Sequence, residues 1–277
     1  MDAPDLHRYL DYRSFLADWF AAKKASNPRY SHRAFVRRTG QKSPSLLADV
    51  IAGRRNLTTS TAEGFVKALG LKGSEARFFR LLVDLDQAAT PTEKNVAWEG
   101  IAASRRFREA RRVEGDSMRY LSTWYVPVIR ELARRPDFRA DAAWVAKQVR
   151  PSISTKQAED ALELLFDLDL IQRTDDGGVE QSGGTVATAR EVAGLAAHNY
   201  HQGMLDRAKD ALHEVPSSER HYLAVTVTAP PSLVPKLKEE LNALQDRILD
   251  LCGGTDAGID PVMQFHLHFF PLSRGEG

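Results

Sequence analysis

Apolar positions recur at helical spacing along most of the 277-residue chain, and this pattern predicts a mainly α-helical protein. The first predicted helix spans residues 5–24, and its apolar face carries Leu6, Tyr9, Leu10, Phe15, Leu16, Trp19 and Phe20. Asn27 and Pro28 end this helix, because proline cannot continue the hydrogen-bond ladder. Another helix is predicted over residues 74–89.

Two shorter helices joined by a tight turn are predicted between these two. Ser31 is a candidate cap for the first short helix, which Gly40 ends. Ser43 followed by Pro44 predicts the start of the second, which extends to Ala52. Such a pair is typical of a helix-turn-helix, which lays its second helix in the major groove of DNA.

The middle of the chain is also predicted to be helical. The sequence TPTE at residues 90–93 is typical of a capping box, so a new helix begins there. A further helical stretch covers residues 117–135 and is interrupted at Pro127. Residues 141–186 follow the order helix, turn, helix, hairpin, with the hairpin turn at Asp175–Gly178. This order is the outline of a winged helix.

The C-terminal part combines a helix over residues 188–213 with an alternating tail. The tail pattern predicts a strand over residues 221–229, a helix from Ser232 to Leu251 and a strand over residues 262–272. One face of the last strand carries Phe265, Leu267 and Phe269, and the other carries Gln264, His266 and His268.

The predicted fold class is therefore mainly α with a small α+β tail. We predict a helix-turn-helix DNA-binding domain at residues 1–89 and a helical connector at 90–136. A winged-helix-like unit follows at 137–187, and an α+β domain for regulation or dimerisation occupies 188–277.

The tail helix carries a continuous apolar stripe, formed by Leu233, Leu237, Leu241, Leu244, Ile248 and Leu251. Two strands and one helix are too few to bury this stripe together with the phenylalanine face of the last strand. We therefore expect a homodimer joined through the C-terminal half. The alternative is that both surfaces pack on the helix at residues 188–213 within one chain.

The formal net charge of +1 is unevenly distributed. Residues 1–151 hold 28 Lys and Arg against 17 Asp and Glu, whereas residues 152–277 hold 10 against 20. A polyanion would therefore bind the first half of the chain. A single cysteine excludes an internal disulfide framework, and no apolar run reaches the roughly 20 residues of a membrane helix. We expect a cytoplasmic protein without a membrane partner.

The predicted helix-turn-helix is strongly basic. Between residues 29 and 55 it holds one acid, Asp49, and seven basic residues: Arg29, Arg33, Arg37, Arg38, Lys42, Arg54 and Arg55. Arg54, Arg55 and Asn56 follow the second helix, where contacts with the DNA backbone commonly occur. Double-stranded DNA is thus the favoured partner, and a solvated basic face on a helical bundle is the alternative.

Residues 31–71 resemble the Cro/CI-type repressor module, most specifically in the sequence AGRRNLTTSTAEGFVKALGL. The resemblance implies that four residues contact phosphates: His32, Arg54, Arg55 and Asn56. It implies that four others face base edges: Ser43, Ser45, Ala48 and Asp49. The sequence GQKSP is one residue longer than the usual turn, so the register of base-facing positions stays open by one residue. These short side chains lack strong bidentate readout, so few contacts or DNA shape would set sequence preference.

Nearly the whole chain resembles a family of paralogous bacterial transcriptional regulators with a C-terminal domain of unknown function. The resemblance lies in YLDYRSFLADWF, AGRRNL, ARFFRLLVDLDQA, WYVPVIREL, ALELLFDLDLIQR, NYHQGML and FFPLS, in this order. This resemblance implies that the protein is a transcriptional regulator, and it does not imply any particular ligand.

Motifs of catalysis are missing from the sequence. It contains no GxSxG elbow, no Walker loop and no glycine-rich nucleotide fingerprint, so we expect no enzymatic activity and no cofactor. Two histidine pairs, His198 with His201 and His266 with His268, lack a nearby cysteine ligand and an HExxH motif. Surface histidines are therefore favoured over a metal site.

Two further segments are candidates for DNA contact. The second helix of the winged-helix-like unit sets Lys156 against five acids, Glu159, Asp160, Glu163, Asp167 and Asp169, so phosphates would repel it and a structural or dimer-forming role is favoured. The basic segment Arg105–Arg112 fits either a DNA flank or a solvated face, and both interpretations stay open.

These observations favour a sequence-specific DNA-binding transcriptional regulator that acts as a homodimer. One alternative is a protein-interaction adaptor whose helix-turn-helix does not read bases strongly. Another is a sensor whose acidic C-terminal half binds a small molecule or a peptide and relays its state to DNA.

Overall fold

The computed structural model describes residues 4–184, 186, 190–253 and 258–273. These residues are mainly helical, as the apolar pattern predicts, with one two-stranded antiparallel sheet. The chain divides into two units. The first comprises the described residues up to Ser122, together with Val186 and residues 190–199, and the second comprises residues 123–184 and the described residues from Tyr200 onward. The predicted boundary between residues 187 and 188 lies outside the described residues.

The first unit begins with a 3₁₀ turn at Leu6–Arg8, after which Asp11 caps the first α-helix. The helices are α1 Tyr12–Ser26, α2 His32–Thr39, α3 Leu46–Ile51, α4 Thr59–Leu69, α5 Gly73–Gln87, α6 Pro91–Ala102, α7 Arg105–Ala110 and α8 Arg112–Ser122. The predicted cap of α2 is confirmed, because the Ser31 hydroxyl accepts the Ala34 N–H. The capping box at the start of α6 is also confirmed, with Thr90 and Glu93 making both of its hydrogen bonds.

One apolar core connects these helices. Its largest fully buried side chains come from five helices: Tyr12, Phe15, Phe35, Phe65, Phe78, Phe79 and Phe107. Edge-to-face contacts join them, such as Phe35 on Phe65 with ring centroids 5.1 Å apart. The core extends beyond α5 to Ile101 and Met118, so α6 to α8 pack on the same interior as α1 to α5.

Helices α2 and α4 approach closely at Gly64. A Cβ atom at this position would lie 2.6 Å from the backbone oxygen of Thr39. Thr39 is buried at the end of α2, where its hydroxyl donates a 2.7 Å hydrogen bond to the Val36 carbonyl. Packing of α2 on α4 therefore requires glycine at residue 64.

The second unit contains α9 Tyr125–Leu132, α10 Ala142–Gln148, α11 Thr155–Asp167, β1 Ile171–Arg173, β2 Val179–Gln181 and α13 Val234–Gly253. Helix α12, Arg190–Glu214, begins in the first unit and continues in this one. The predicted hairpin is confirmed, since Ile171 pairs with Gln181 and Gly177 takes a φ of +86° in the turn. Across the described residues, no helix combines the length and apolar character that crossing a membrane requires.

The predicted strands of the C-terminal tail are wrong. The helix between them is confirmed as α13, but residues 221–229 and 262–272 form no strand. Among the described residues, neither segment makes a backbone hydrogen bond to another backbone group. A β-strand forms only where a neighbouring strand pairs with its backbone N–H and C=O groups. In the described residues, no neighbouring strand lies beside either segment. The tail of a single chain is therefore not the α+β unit that the pattern predicts.

We expect Gly64→Ala to destabilise the first unit by about 1–3 kcal/mol, because the new methyl group collides with backbone at Thr39. Gly194→Ala is the matched control, since Gly194 is an exposed glycine of α12 with open space around its Cβ position. That change should stabilise by roughly 0.5–1 kcal/mol through helix propensity. Urea denaturation followed by circular dichroism measures both, and a gain of stability in Gly64→Ala would contradict the close approach.

Candidate nucleic-acid interface

Residues 40–45 join α2 to α3 and set where α3 begins. Gly40 has a φ of +76° and ends α2 in the left-handed conformation. Helix α3 begins at Leu46, two residues later than predicted, because the Ser43 carbonyl accepts the Leu46 N–H at 3.1 Å in a turn that leads into the helix. Helix α3 follows Ser45, which makes no side-chain cap, and spans six residues.

The two faces of α3 differ in burial. Leu46, Leu47 and Val50 are buried against the first unit. The opposite face exposes Ser45 and half-exposes Ala48 and Asp49, which are three of the four residues predicted to face bases. The fourth, Ser43, is half-buried, and its hydroxyl oxygen lies 3.2 Å from that of Ser45. The outward face of α3 is therefore short, small and polar.

Exposed cations precede and follow α3 along the chain. Six of the seven basic residues predicted here are exposed and have no ion-pair partner among the described residues: Arg29, Arg33, Arg37, Arg38, Lys42 and Arg55. Arg33 and Arg37 lie four residues apart, on the same side of α2. Like charges that stay unpaired repel one another, and a polyanion would relieve that repulsion.

Arg54 is the basic residue with a partner. Its Nε and Nη2 atoms donate to Asp49 Oδ1 at 3.0 and 2.7 Å. Hydrogen bonds from Arg54, and then from Ser45, lower the pKa of Asp49 below its usual value. Asp49 is therefore ionised and held in one orientation, and Arg54 neutralises the only acid in this basic stretch.

His32 lies at the first position of α2, and its ring stacks on Phe20 with centroids 4.1 Å apart. Burial, and then the nearby charge of Lys24, lower its pKa below 6.5. At neutral pH the ring is uncharged, so it could meet a phosphate as a hydrogen-bond donor and not as a cation.

Arg13 of α1 fixes the loop after α3, and it was not among the predicted residues. Its Nη1 donates to the carbonyls of Val50 at 2.5 Å and Arg55 at 3.0 Å. Its Nη2 donates to Asn56 Oδ1 at 2.7 Å and to Asp86 at 3.2 Å. No local pattern marks Arg13 as important, because these partners lie 37 to 73 residues away.

Gln87, the last residue of α5, holds the next position of the same loop. Its amide accepts the Leu57 N–H and donates to the Leu57 carbonyl, both at 2.8 Å. Residues 55–57 are therefore fastened from α1 and from α5. The predicted phosphate contacts Arg55 and Asn56 lie on a backbone whose position is fixed.

The basic segment Arg105–Arg112 is largely engaged within the protein. Arg105 donates to Glu109 at 2.7 Å and Arg106 to Glu75 at 3.1 Å. Arg108 donates to the carbonyls of Ala102 and Ala103, and Arg111 to that of Arg8. The side chain of Arg112 lies outside the described residues. These contacts favour a structural role for the segment over a DNA flank.

A pair of histidines stands out in the second unit. His201 Nδ1 lies 3.2 Å from His266 Nε2, in rings inclined by only 8°, which is the arrangement of an N–H···N hydrogen bond. Among the described residues, no group of three or more His, Cys, Asp or Glu side chains is placed to hold a metal ion. The pair fastens the segment around His266 to α12.

Comparison with known proteins gives one finding. A protein-family model described as "Domain of unknown function (DUF4423)" matches residues 104–272, which is more than half of the chain. The C-terminal domain of unknown function that the resemblance implied is thereby confirmed. The matched region contains neither α2 nor α3. No curated protein and no solved structure matches the chain.

We expect Arg13→Ala to destabilise the protein by roughly 2–4 kcal/mol, since four hydrogen bonds of a largely buried guanidinium are lost. Amide hydrogen exchange in residues 54–57 should accelerate, because the loop loses one of its two attachments. Arg29→Ala is the control, as its exposed side chain has no ion-pair partner among the described residues. Unchanged exchange in the loop of the Arg13 variant would show that Arg13 does not position it.

We expect the attachment of the tail to α12 to weaken below pH 6.5. Burial, and then the charges of His268 and His201, lower the pKa of His266 in the folded protein. The unfolded chain therefore binds this proton more readily, so the contribution of His266 to stability is complete above pH 6.5 and falls as the pH falls towards the folded pKa.

Urea denaturation of the full chain at pH 7.5 and 5.5 measures this pH dependence. His266→Gln should reduce the difference between the two pH values. His213→Gln should leave it unchanged, because His213 is an exposed histidine of α12. An undiminished difference in His266→Gln would assign the pH dependence to other groups.

Proposed function

Because this chain belongs to the DUF4423 family, whose description assigns no function, we propose a function from the geometry of α2 and α3. The proposed function is sequence-specific DNA binding for transcriptional control, by a homodimer with a Cro/CI-type helix-turn-helix. The observation that carries it is the set of six exposed cations without ion-pair partners among the described residues, all within residues 29–55, which include α2 and α3. Phosphate neutralisation by such cations supplies most of the affinity of DNA-binding proteins.

In the proposed complex α3 lies in the major groove. Ser45, Ala48 and Asp49 face base edges, and the oriented carboxylate of Asp49 suits the amino group of cytosine. Arg33, Lys42 and Arg55 contact phosphates on either side of the groove. Arg54 supports Asp49. Arg13 donates to the side-chain oxygen Oδ1 of Asn56, so the side-chain NH₂ group of Asn56 points away and can donate to a phosphate.

The small outward face of α3 explains why a homodimer is part of the proposal. Three short side chains make few base contacts, and each good bidentate pair contributes only about 1–3 kcal/mol of discrimination. Two copies that bind half-sites about one helical turn apart, roughly 34–36 Å, would double the contacts. In this proposal the winged-helix-like unit, formed by α10, α11 and the hairpin, has a structural role, because α11 is acidic.

A protein-interaction adaptor is the second candidate, and one observation favours it. The Asp49 carboxylate is already engaged by Arg54, which leaves α3 with no long side chain directed at bases. In an adaptor the same exposed cations would meet an acidic protein surface. The two candidates differ in whether the protein selects particular DNA sequences.

Selection of genomic fragments by the purified full-length protein, followed by sequencing, should enrich a short two-fold symmetric site. Lys42→Ala combined with Arg55→Ala should weaken binding to all duplexes alike. The slope of log affinity against log salt should become shallower by about 3.6 for the homodimer, because four phosphate contacts are lost and each contributes roughly 0.9. Ser45→Ala should instead change which sequence is preferred.

Arg77→Ala is the control for loss of charge. Arg77 is an exposed arginine of α5 in the same unit, outside the helix-turn-helix. Its removal should leave the salt slope within experimental error. No enriched sequence in the selection, or equal effects of the two sets of variants, would reject DNA readout by α3 and favour the adaptor.

A further inference from the structure

The C-terminal tail exposes an unusual amount of apolar surface. Fourteen of the seventeen large apolar side chains that are exposed in the described part of the chain lie between Tyr222 and Leu272. Three of them, Phe265, Phe269 and Phe270, are each about half exposed and together present roughly 300 Å². That alone equals a large patch on a typical monomer, and eleven further side chains add to it. Helix α13 buries none of its residues.

The two segments that flank α13 have the character of strands without strand partners. Residues 221–229 and 262–272 alternate apolar and polar positions, and Leu223, Val225 and Val227 are at least 70% exposed. Neither segment contains a Lys, Arg, Asp or Glu residue. Monomeric proteins protect unpaired strand edges with charges, so an uncharged and unpaired pair of segments indicates that something covers them.

The positions of the two segments on α12 show how far apart they lie. The Tyr222 hydroxyl donates to the carbonyl of Ala208, whereas Tyr200 and His201 contact Gln264 and His266. Seven residues of α12 separate these sites, or about 11 Å at the helical rise of 1.5 Å per residue. Adjacent strands are about 4.8 Å apart, so the separation equals roughly two strand spacings. It leaves room for one strand between the segments.

We propose that a second copy of this chain fills that space. The last segment of each copy, residues 262–272, lies between the two segments of the other copy. The result is one four-stranded antiparallel sheet. Its strands follow the order residues 221–229 of one copy, residues 262–272 of the other copy, residues 262–272 of the first copy and residues 221–229 of the other copy. A two-fold axis between the central strands generates this order, as it does in split β-α-β folds.

A second copy fits this space better than an unrelated partner does. The same two uncharged segments are available in both copies, so each copy supplies the strand that the other lacks. Helix α13 also offers opposite charges to a second copy, since antiparallel alignment about Ala243 places Lys236 opposite the partner's Asp250 and Glu239 opposite the partner's Arg247. By symmetry these are four opposite-charge contacts, which outnumber the two like-charge contacts of Glu240 with the partner's Asp246. The fourteen exposed side chains supply apolar area on the scale of the roughly 800 Å² per partner that a stable interface buries.

The shared sheet is the way in which the homodimer of the proposed function would form, and in that sense this inference rests on the proposed function. The observations that support the sheet come only from the tail. The test of this sheet contains no DNA. Dimerisation through the tail can therefore fail while DNA binding is confirmed, and DNA binding can fail while dimerisation is confirmed. Analytical ultracentrifugation of the full-length protein should show a dimer. In hydrogen exchange, residues 221–229 and 262–272 should be protected in that dimer and should exchange about 100-fold faster when dilution dissociates it.

Val225→Glu should raise the dimer dissociation constant by about 100-fold or more, because it places an unpaired carboxylate in the interface of each copy. Val96→Glu is the matched control, since Val96 is 64% exposed on α6 of the other unit and should leave the constant within about threefold. Far-UV circular dichroism should show the same helix content in both variants.

Four outcomes would overturn the proposal. A wild-type monomer with rapid exchange in both segments would assign the surface to a different protein. A monomer with protected segments would mean that the chain covers its own tail. A dimer whose segments exchange rapidly, or a Val225→Glu variant that dimerises as the wild type does, would place the interface elsewhere.

Discussion

The candidate interface depends on the hydrogen bonds of one arginine. The Arg13 side chain is only 15% exposed, and its guanidinium connects α1 to the last residues of α3, to the following loop and to Asp86 of α5. Its charge lies at the C-terminal end of α3, where the helix dipole favours a cation. Lysine could not replace it, because one ammonium cannot reach two carbonyls, an amide and a carboxylate in a planar fork. The orientation of α3 and the position of residues 55 and 56 both follow from this contact.

Local hydrogen bonds explain which parts of the fold were predictable. Ser31 and Thr90 cap helices through atoms within three residues of themselves, and Gly177 serves a turn whose chemistry is local. Arg13 and Gln87 hold partners 30 or more residues away, and no spacing rule connects such positions. The start of α3 was predicted wrongly for a related reason: Ser43 and Pro44 fit a helix start, but tertiary packing of Leu46 and Leu47 sets where α3 begins.

The tail shows a different limit of sequence patterns. Alternation of apolar and polar residues over residues 221–229 fits a strand with one buried face. A strand also needs a hydrogen-bonded neighbour, and the alternation does not show where that neighbour comes from. The pattern therefore predicts strands that a single chain cannot complete. The failure of this prediction in one copy is informative, because uncharged and alternating segments that face water are costly unless an assembly pairs them.

Charge and assembly together set the scale of the proposed DNA affinity. The six exposed cations of one copy, which have no ion-pair partner in the described part of the chain, would together give a salt slope of about −5, because each neutralised phosphate contributes about −0.9. Two copies held together by their tails would present twelve and bring the slope to about −11. On the acidic α11, Lys156 already pairs with Glu159 and Asp160, so this helix offers no free cation to phosphates. A slope well beyond −5 is therefore the result we expect when both helix-turn-helix units contact DNA at once.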